Sequence, residues 1–291
     1  MGTGESRMEM GSAQEVEPVT AFEVDMARHS IKGKLPDGRE PITKEGMDTA
    51  VQAGLKDTRE LVGKVYGSPR ERTSQSSALR MLAKQFKDVD FANVDPEDVV
   101  RWLQEGGLKK VESPFLNFQV GEGEYNVEFM KEFKAGNLLK WLAEKSDNRA
   151  VETKQNPEKV TPISVQAGNV AEFVFAKVWE AFDNEGESSE TAVDFATSHQ
   201  SVLESFLCKV IKNHDGEKAA DEFIASLGNK GFGENQGFTL KGNVYDKKDV
   251  SKWGVQVIYA GKTYEVTPDE LFQIIKEGED LKEKLVKQLE K

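Results

Sequence analysis

The 291-residue chain carries 51 acidic and 39 basic side chains, a formal net charge of −12, with three histidines and one cysteine. A lone cysteine excludes a disulfide framework, so few soft ligands exclude a structural zinc site, and the acid excess argues against the lysine/arginine face that nucleic-acid binding rests on. No run approaches the ~18 apolar residues of a membrane span, and the first residues lack a secretory signal's apolar segment. The expectation is a cytoplasmic protein without nucleic-acid or membrane partners.

Residues 1–19 are polar, acidic and without hydrophobic periodicity, and read as a disordered tail preceding one domain over 20–291. Phe22, Val24 and Met26 alternate with polar neighbours, which predicts a half-buried strand over 20–27 running into Arg28-His29-Ser30. A loop punctuated by glycine and proline follows over 32–41. From Thr43, the positions of Met47, Val51, Leu55 and Leu61 predict a helix ending near Gly63. A short strand over 64–67 then leads through a Ser68-Pro69 turn into a second helix ending near Phe86.

Strand, loop, helix, strand, helix is the rhythm of an α/β sheet domain. The rhythm is lost over about 84–160, which reads as an insertion containing Phe115, Phe118, Phe129, Phe133 and Trp141. These aromatics could flank a substrate, but packing onto the sheet is the commoner use of such residues. A helix is predicted over 165–182, a strand over 192–197 ending at Ser198-His199-Gln200, and a helix over 202–211. A glycine-rich connection, a hairpin over 256–266 and a final amphipathic helix with Leu271, Ile274, Ile275, Leu281, Leu285 and Leu289 on one stripe complete the chain.

Two histidines share one context. His29 and His199 each follow the carboxyl end of a predicted strand, which is where open α/β sheets bind ligands. Arg28 adjoins His29, and Arg72 lies in the turn after another strand, at a helix start whose N–H groups favour anions. Guanidinium forks match phosphate oxygens, and a neutral imidazole is a competent nucleophile at phosphorus. Taken singly, each feature is ordinary, because a histidine at a strand end is more often a plain loop residue. Their order and spacing make the case.

Those residues resemble a family. Arg28-His29-Ser30 resembles the Arg-His-Gly opening motif of the histidine phosphatase superfamily, the phosphoglycerate mutase-like phosphatases. Three further stretches match in order: Pro41-Ile-Thr43 through Gly46 to Ala50, Ser68-Pro69 through Arg72 and Gln75 to Ala78, and the strand ending at His199. The resemblance spans roughly residues 20–210 and implies a three-layer α/β/α sandwich with a central, mostly parallel sheet and an inserted cap at about 84–160. It also implies phosphomonoester hydrolysis on a small phosphorylated substrate, without metal or other cofactor. His29 would carry the phosphoryl group, Arg28, Arg72 and His199 would bind its oxygens, and Glu122, or failing it Glu124, would be the general acid.

Departures from the pattern are specific. Ser30 stands where the motif has glycine, and Gln200 follows the second histidine. Asn117 or Phe118 occupies the register expected for the acid. A phosphomutase, or a phosphate-binding module without the acid, are the competing readings. Oligomeric state is not legible. His214-Asp215 reads as a surface helix terminus, Cys208 as a small buried hydrophobe, and the Lys/Glu-rich end as the solvated face of a packed helix.

Overall fold

The computed structural model describes residues 19–59, 62–87, 90–91, 94–105, 110–183, 192–245, 249 and 251–290. Apart from Val19, the expected tail lies outside them. The first strand, β1 (Val19–Arg28), turns Phe22, Val24 and Met26 into one core and Glu23 and Asp25 to the opposite face. The two acids are not left alone there: Arg59 pairs with both, and Arg80 joins Asp25 at 2.8 Å. Helix α1 (Lys44–Leu55) is capped by Thr43, whose hydroxyl accepts from Gly46 N–H at 3.0 Å. It ends well before Gly63, because Gly54 presses on the Arg80 backbone and a turn built on Asp57 follows. Gly63 falls inside β2 (Val62–Gly67).

Helices α2 (Glu71–Gln85) and α3 (Pro96–Glu105) come next, and then a short strand, β3 (Lys110–Glu112). That strand pairs with β2 and forms a sheet edge within the segment expected to be wholly insertion. The inserted part proper is a 3₁₀ turn at Pro114–Leu116, α4 (Gly123–Ala135), α5 (Leu138–Trp141), a π turn and α6 (Asp147–Glu152). It has its own core of Tyr125, Phe129, Leu138, Trp141 and Leu142. Thus Phe115 and Phe118 pack on the sheet's core as expected, Phe129 and Trp141 pack in the insertion's own core instead, and Phe133 remains 46% exposed.

Helix α7 (Ile163–Asp183) precedes β4 (Val193–Ser198), which is buried on both faces as an interior parallel strand must be. Helices α8 (Val202–Asp215) and α9 (Glu217–Ser226) lead to β5 (Gly237–Val244), β6 (Trp253–Tyr259), β7 (Lys262–Val266) and α10 (Pro268–Leu289). Strand β5 was masked in sequence by its glycines, which read as a connection. Gly237 is there for contact: a Cβ on it would lie 1.8 Å from the Met26 carbonyl. The β6–β7 hairpin turns through Ala260 and Gly261, both at positive φ, 50° and 79°.

The sheet order is β3-β2-β4-β1-β5-β6-β7. The first four strands are parallel and the last three antiparallel. Over the parallel half the sandwich has three layers, with α1, α2 and α3 on Val65, Val193 and Phe195 and α7 and α8 on the other face. The antiparallel half buries Phe238, Leu240, Val255 and Val257 on the α8 side. Its alternate positions Lys241 and Gln256 are half-exposed and Glu265 is exposed. Among the described residues no helix is long and apolar enough to cross a membrane.

Helix α10 lies along α7, burying Leu271, Ile274 and Leu285, whereas Leu289 stays exposed. The crossing is glycine on glycine: a Cβ at Gly278 would stand 2.9 Å from the Ser164 carbonyl and 3.4 Å from the Gly168 Cα. Helix propensity alone favours Gly278→Leu by about 0.8 kcal/mol. Overpacking of a backbone contact costs about 1–3 kcal/mol and should win. The expected outcome is a lower urea midpoint for Gly278→Leu than for the parent chain.

Candidate active site

Parallel pairing of β1 with β4 sets Arg28 opposite Ser198, so His29 and His199 leave neighbouring strands at the same level. The His29 N–H donates to the Ser198 carbonyl at 2.9 Å and locks that register. Between these strand ends and the start of α2 stands Arg72, in the first turn of the helix. His29, Arg72 and His199 are 7%, 6% and 1% exposed, so their contacts form away from bulk water.

The guanidinium organises the cluster. Arg72 Nε donates to His29 Nε2 at 3.2 Å, Nη2 to His199 Nδ1 at 3.3 Å and Nη1 to Glu40 Oε2 at 2.6 Å. Since both ring nitrogens facing Arg72 must accept, each imidazole's tautomer follows. His29 carries its proton on Nδ1 and gives it to the Ser30 carbonyl at 2.6 Å, which leaves Nε2 as the bare, nucleophilic nitrogen. His199 carries its proton on Nε2 and gives it to Ser68 Oγ at 2.7 Å. The two rings meet edge to face at 5.3 Å, and Phe118 lies 5.1 Å from His199.

Both imidazoles are held neutral. Burial lowers His29 from its ordinary 6.5 to about 3, with Arg72 and Arg28 adding to the effect against the raising pull of the Ser30 hydrogen bond. Burial, then His29 and Arg72, takes His199 well below its ordinary value. Burial also lowers Arg72, against the pull of Glu40. Glu40 is kept below the usual carboxylate range by its hydrogen bond to Lys32, 2.7 Å away, and by Arg72.

The structure brings together His29, Arg72 and His199 among the residues singled out in sequence. Arg28 adjoins them in the chain and bears on His29 through its charge, but its head engages the loop after α9, where Nη1 donates to the Phe232 carbonyl and Nη2 lies 3.5 Å from Glu234. Glu122 and Glu124 are elsewhere: Glu122 meets Lys159 at 2.9 Å and Glu124 meets Arg149 at 3.0 Å, both on the surface. Ser30, in place of glycine, points its hydroxyl away from the cluster to the Gly46 carbonyl at 2.6 Å. That contact needs Gly46, where a Cβ would sit 2.3 Å from the Ile31 carbonyl.

Sequence reasoning missed Glu40 and Ser68. Ser68 belongs to the quoted Ser68-Pro69 turn, so a signal existed. Glu40 lies in a charged loop with nothing local to distinguish it. His214 ends α8 beside Glu270 at 3.1 Å, and Cys208 is buried with its thiol pushed up to about 11 by desolvation. Among the described residues no group of three or more His, Cys, Asp or Glu side chains is placed to hold a metal ion.

No protein-family model and no curated protein sequence matches the chain. Solved structures with a similar course include a mycobacterial hydrolase, 14% identical over 88% of this chain and 97% of its own, with a TM-score of 0.47. A phosphoglycerate mutase from Bacillus anthracis is 12% identical over 89% and 96%, with a TM-score of 0.42. A mycobacterial glucosyl-3-phosphoglycerate phosphatase is 13% identical over 81% and 98%, with a TM-score of 0.40. With TM-scores below 0.5, these likenesses do not bear on the chemistry, which rests on this chain's own geometry.

The buried neutral imidazoles make stability depend on pH. Below about 6.5 the unfolded chain takes up protons that folded His29 refuses until about pH 3. Stability therefore falls as pH drops through that window, by on the order of 1–2 kcal/mol for His29 at about pH 5. Urea midpoints measured near pH 7.5 and near pH 5 should fall less on acidification in His29→Gln than in the parent chain.

Proposed function

We propose that this chain hydrolyses phosphomonoesters through a phosphohistidine on His29. The observation that carries this reading is the convergence of His29 Nε2 and His199 Nδ1 on the Nε–Nη2 edge of Arg72. That edge is the one through which a guanidinium grips an oxyanion with two parallel hydrogen bonds. A phosphoryl dianion exchanges there for two weak neutral acceptors, which places phosphorus beside the nucleophilic nitrogen. The anion also supplies the counter-charge that lets His199 take up a proton and donate from Nδ1.

The chemistry then balances in two steps. His29 Nε2 forms the P–N bond as the P–O bond to the leaving group breaks, and the leaving oxygen takes a proton. Water next attacks phosphorus, the P–N bond breaks, and the water's proton returns to the same acid. In this reading the acid is Glu40 rather than Glu122, because Glu40 is the carboxylate that touches the cluster. Its ionised form is favoured by Lys32 and Arg72; a dianion arriving on Arg72 offsets that cation and repels the carboxylate, which raises its proton affinity. The loose transition state places charge on the equatorial oxygens, so the positioned cation does most of the work.

One observation favours a second reading, a phosphate-binding module. Asn117 and Phe118 hold the register expected for an acid, and Phe118 packs on His199. Phosphate binding by calorimetry without turnover of p-nitrophenyl phosphate would decide for it.

Under the hydrolase reading, brief incubation with radiolabelled phosphomonoester should leave an acid-labile, alkali-stable label on the protein, absent in His29→Ala. Arg72→Met should lower kcat/KM by roughly 10³-fold, by analogy with arginine fingers. For Glu40→Gln the expected loss is about 10²-fold or more with glycerol phosphate, whose leaving group needs a proton. It should be small with p-nitrophenyl phosphate. Equal losses with both esters would reduce Glu40 to a holder of Arg72.

A further inference from the structure

Between α1, Arg80 of α2 and the loop before β5 opens a cavity of about 520 Å³, within the range that small-molecule sites occupy. No residue of the His29–Arg72–His199 cluster lines it. Its charged wall residues are Asp48, Glu234, Lys56 and Arg80, and the two signs are segregated. Asn235 Nδ2 donates to Thr49 Oγ1 at 3.2 Å, which brings the Glu234–Asn235 loop beside Asp48 and Thr49. Lys56 caps the other end of α1, where the Arg80 backbone packs on Gly54. The cavity thus has an acidic pole and a basic pole. Residues 48 and 56 stand about 12 Å apart along the helix axis, so with the reach of the lysine stem one small molecule can touch both poles.

These charges do not neutralise one another. Asp48 and Lys56 form no ion pair among the described residues, and Glu234 meets Arg28, at 3.5 Å, rather than a cation of the cavity. Arg80 is 4% exposed and meets Asp25 at 2.8 Å, a carboxylate it shares with Arg59. The Phe195 ring lies 5.3 Å from its guanidinium carbon, so apolar surface and not a second carboxylate covers the cation. Arg80 Nε and Nη1 have no hydrogen-bond partner among the described residues. At the acidic pole the same holds for Asn235 Oδ1, whose amide nitrogen holds the Ser30 and Thr49 hydroxyls. Buried donors and acceptors left open are costly, and each asks for an occupant. Here the open donors belong to the basic pole and the open acceptor to the acidic pole. Their complement is a carboxylate at one end and an ammonium at the other.

We infer that this cavity binds a small zwitterion, an amino acid or short peptide with a free carboxylate and a free ammonium. The carboxylate is received by Arg80 and Lys56, and the ammonium by Asp48, Glu234 and Asn235 Oδ1. The acidic pole disfavours a polyanion, and the basic pole disfavours a polyamine. This site goes beyond the hydrolase reading and does not need it. Its link to the cluster runs through Asn235, whose amide holds the hydroxyl of Ser30, the residue after His29.

The test is calorimetric titration of the full chain with each standard L-amino acid and with L-alanyl-L-alanine. At least one should bind saturably, one per chain, with a Kd in the millimolar range or below. Affinity should fall about tenfold or more when the same compound is N-acetylated or converted to its amide. It should fall likewise in Lys56→Ala and in Asp48→Asn, exposed positions of α1 chosen because Arg80 also supports the fold through Asp25. Which compounds bind tells a free amino acid from a peptide. No binding by any of them overturns the proposal. So does equal binding of the N-acetylated form, the mark of a plain carboxylate site, or an affinity unchanged in both variants. Because binding is read without turnover, its failure is distinguishable from failure of the hydrolase reading.

Discussion

Arg72 is the residue on which the site depends. Its three donor directions reach the ends of β1 and β4 and the loop before α1, so one guanidinium fixes two tautomers and one carboxylate. The strand register alone would bring the histidines to one level, without saying which ring nitrogen faces which neighbour. Burial completes the arrangement, because both rings, kept uncharged, can accept from the cation and not repel it. A lysine here could not reproduce this, since an ammonium lacks the planar fork that addresses two acceptors side by side.

The parallel half of the fold was legible because its strands and helices obey simple periodicities. Strand β1 alternates, β4 is a short, wholly buried strand that leads into His199, and α7 and α8 have continuous buried faces. Misreadings occurred where a tertiary contact outweighed local pattern. Leu61 prolonged the first helix on paper, but the chain ends it at Leu55, because close approach to α2 and the Asp57 turn redirect the backbone. Glycines made β5 look like a connection, although Gly237 serves contact with β1. Strand β3 has three residues and little pattern of its own; it exists because β2 offers it an edge.

Within the site the same division holds. Two histidines and Arg72 could be found because each follows a strand or opens a helix, positions that sequence can mark. Glu40 could not, since it reaches Arg72 from a loop whose course depends on the isolated bridge between Lys32 and Ile42 and on Arg72 itself. Glu122 is nominated by the resemblance alone, and it stands at the start of the inserted helices, away from the cluster and beside Lys159. Ser30 fits beside His29 because Gly46 leaves room and an acceptor for its hydroxyl.

Strand order has a consequence for how the molecule is made. Strand β1 is flanked by β4 and β5, both encoded far downstream of it. It must wait with open edges while most of the chain is synthesised, the condition in which unpaired strands meet wrong partners. The acidic alternation of Glu23 and Asp25 suits that interval: charges along an open strand discourage association with other copies, and in the folded sheet Arg59 and Arg80 balance them.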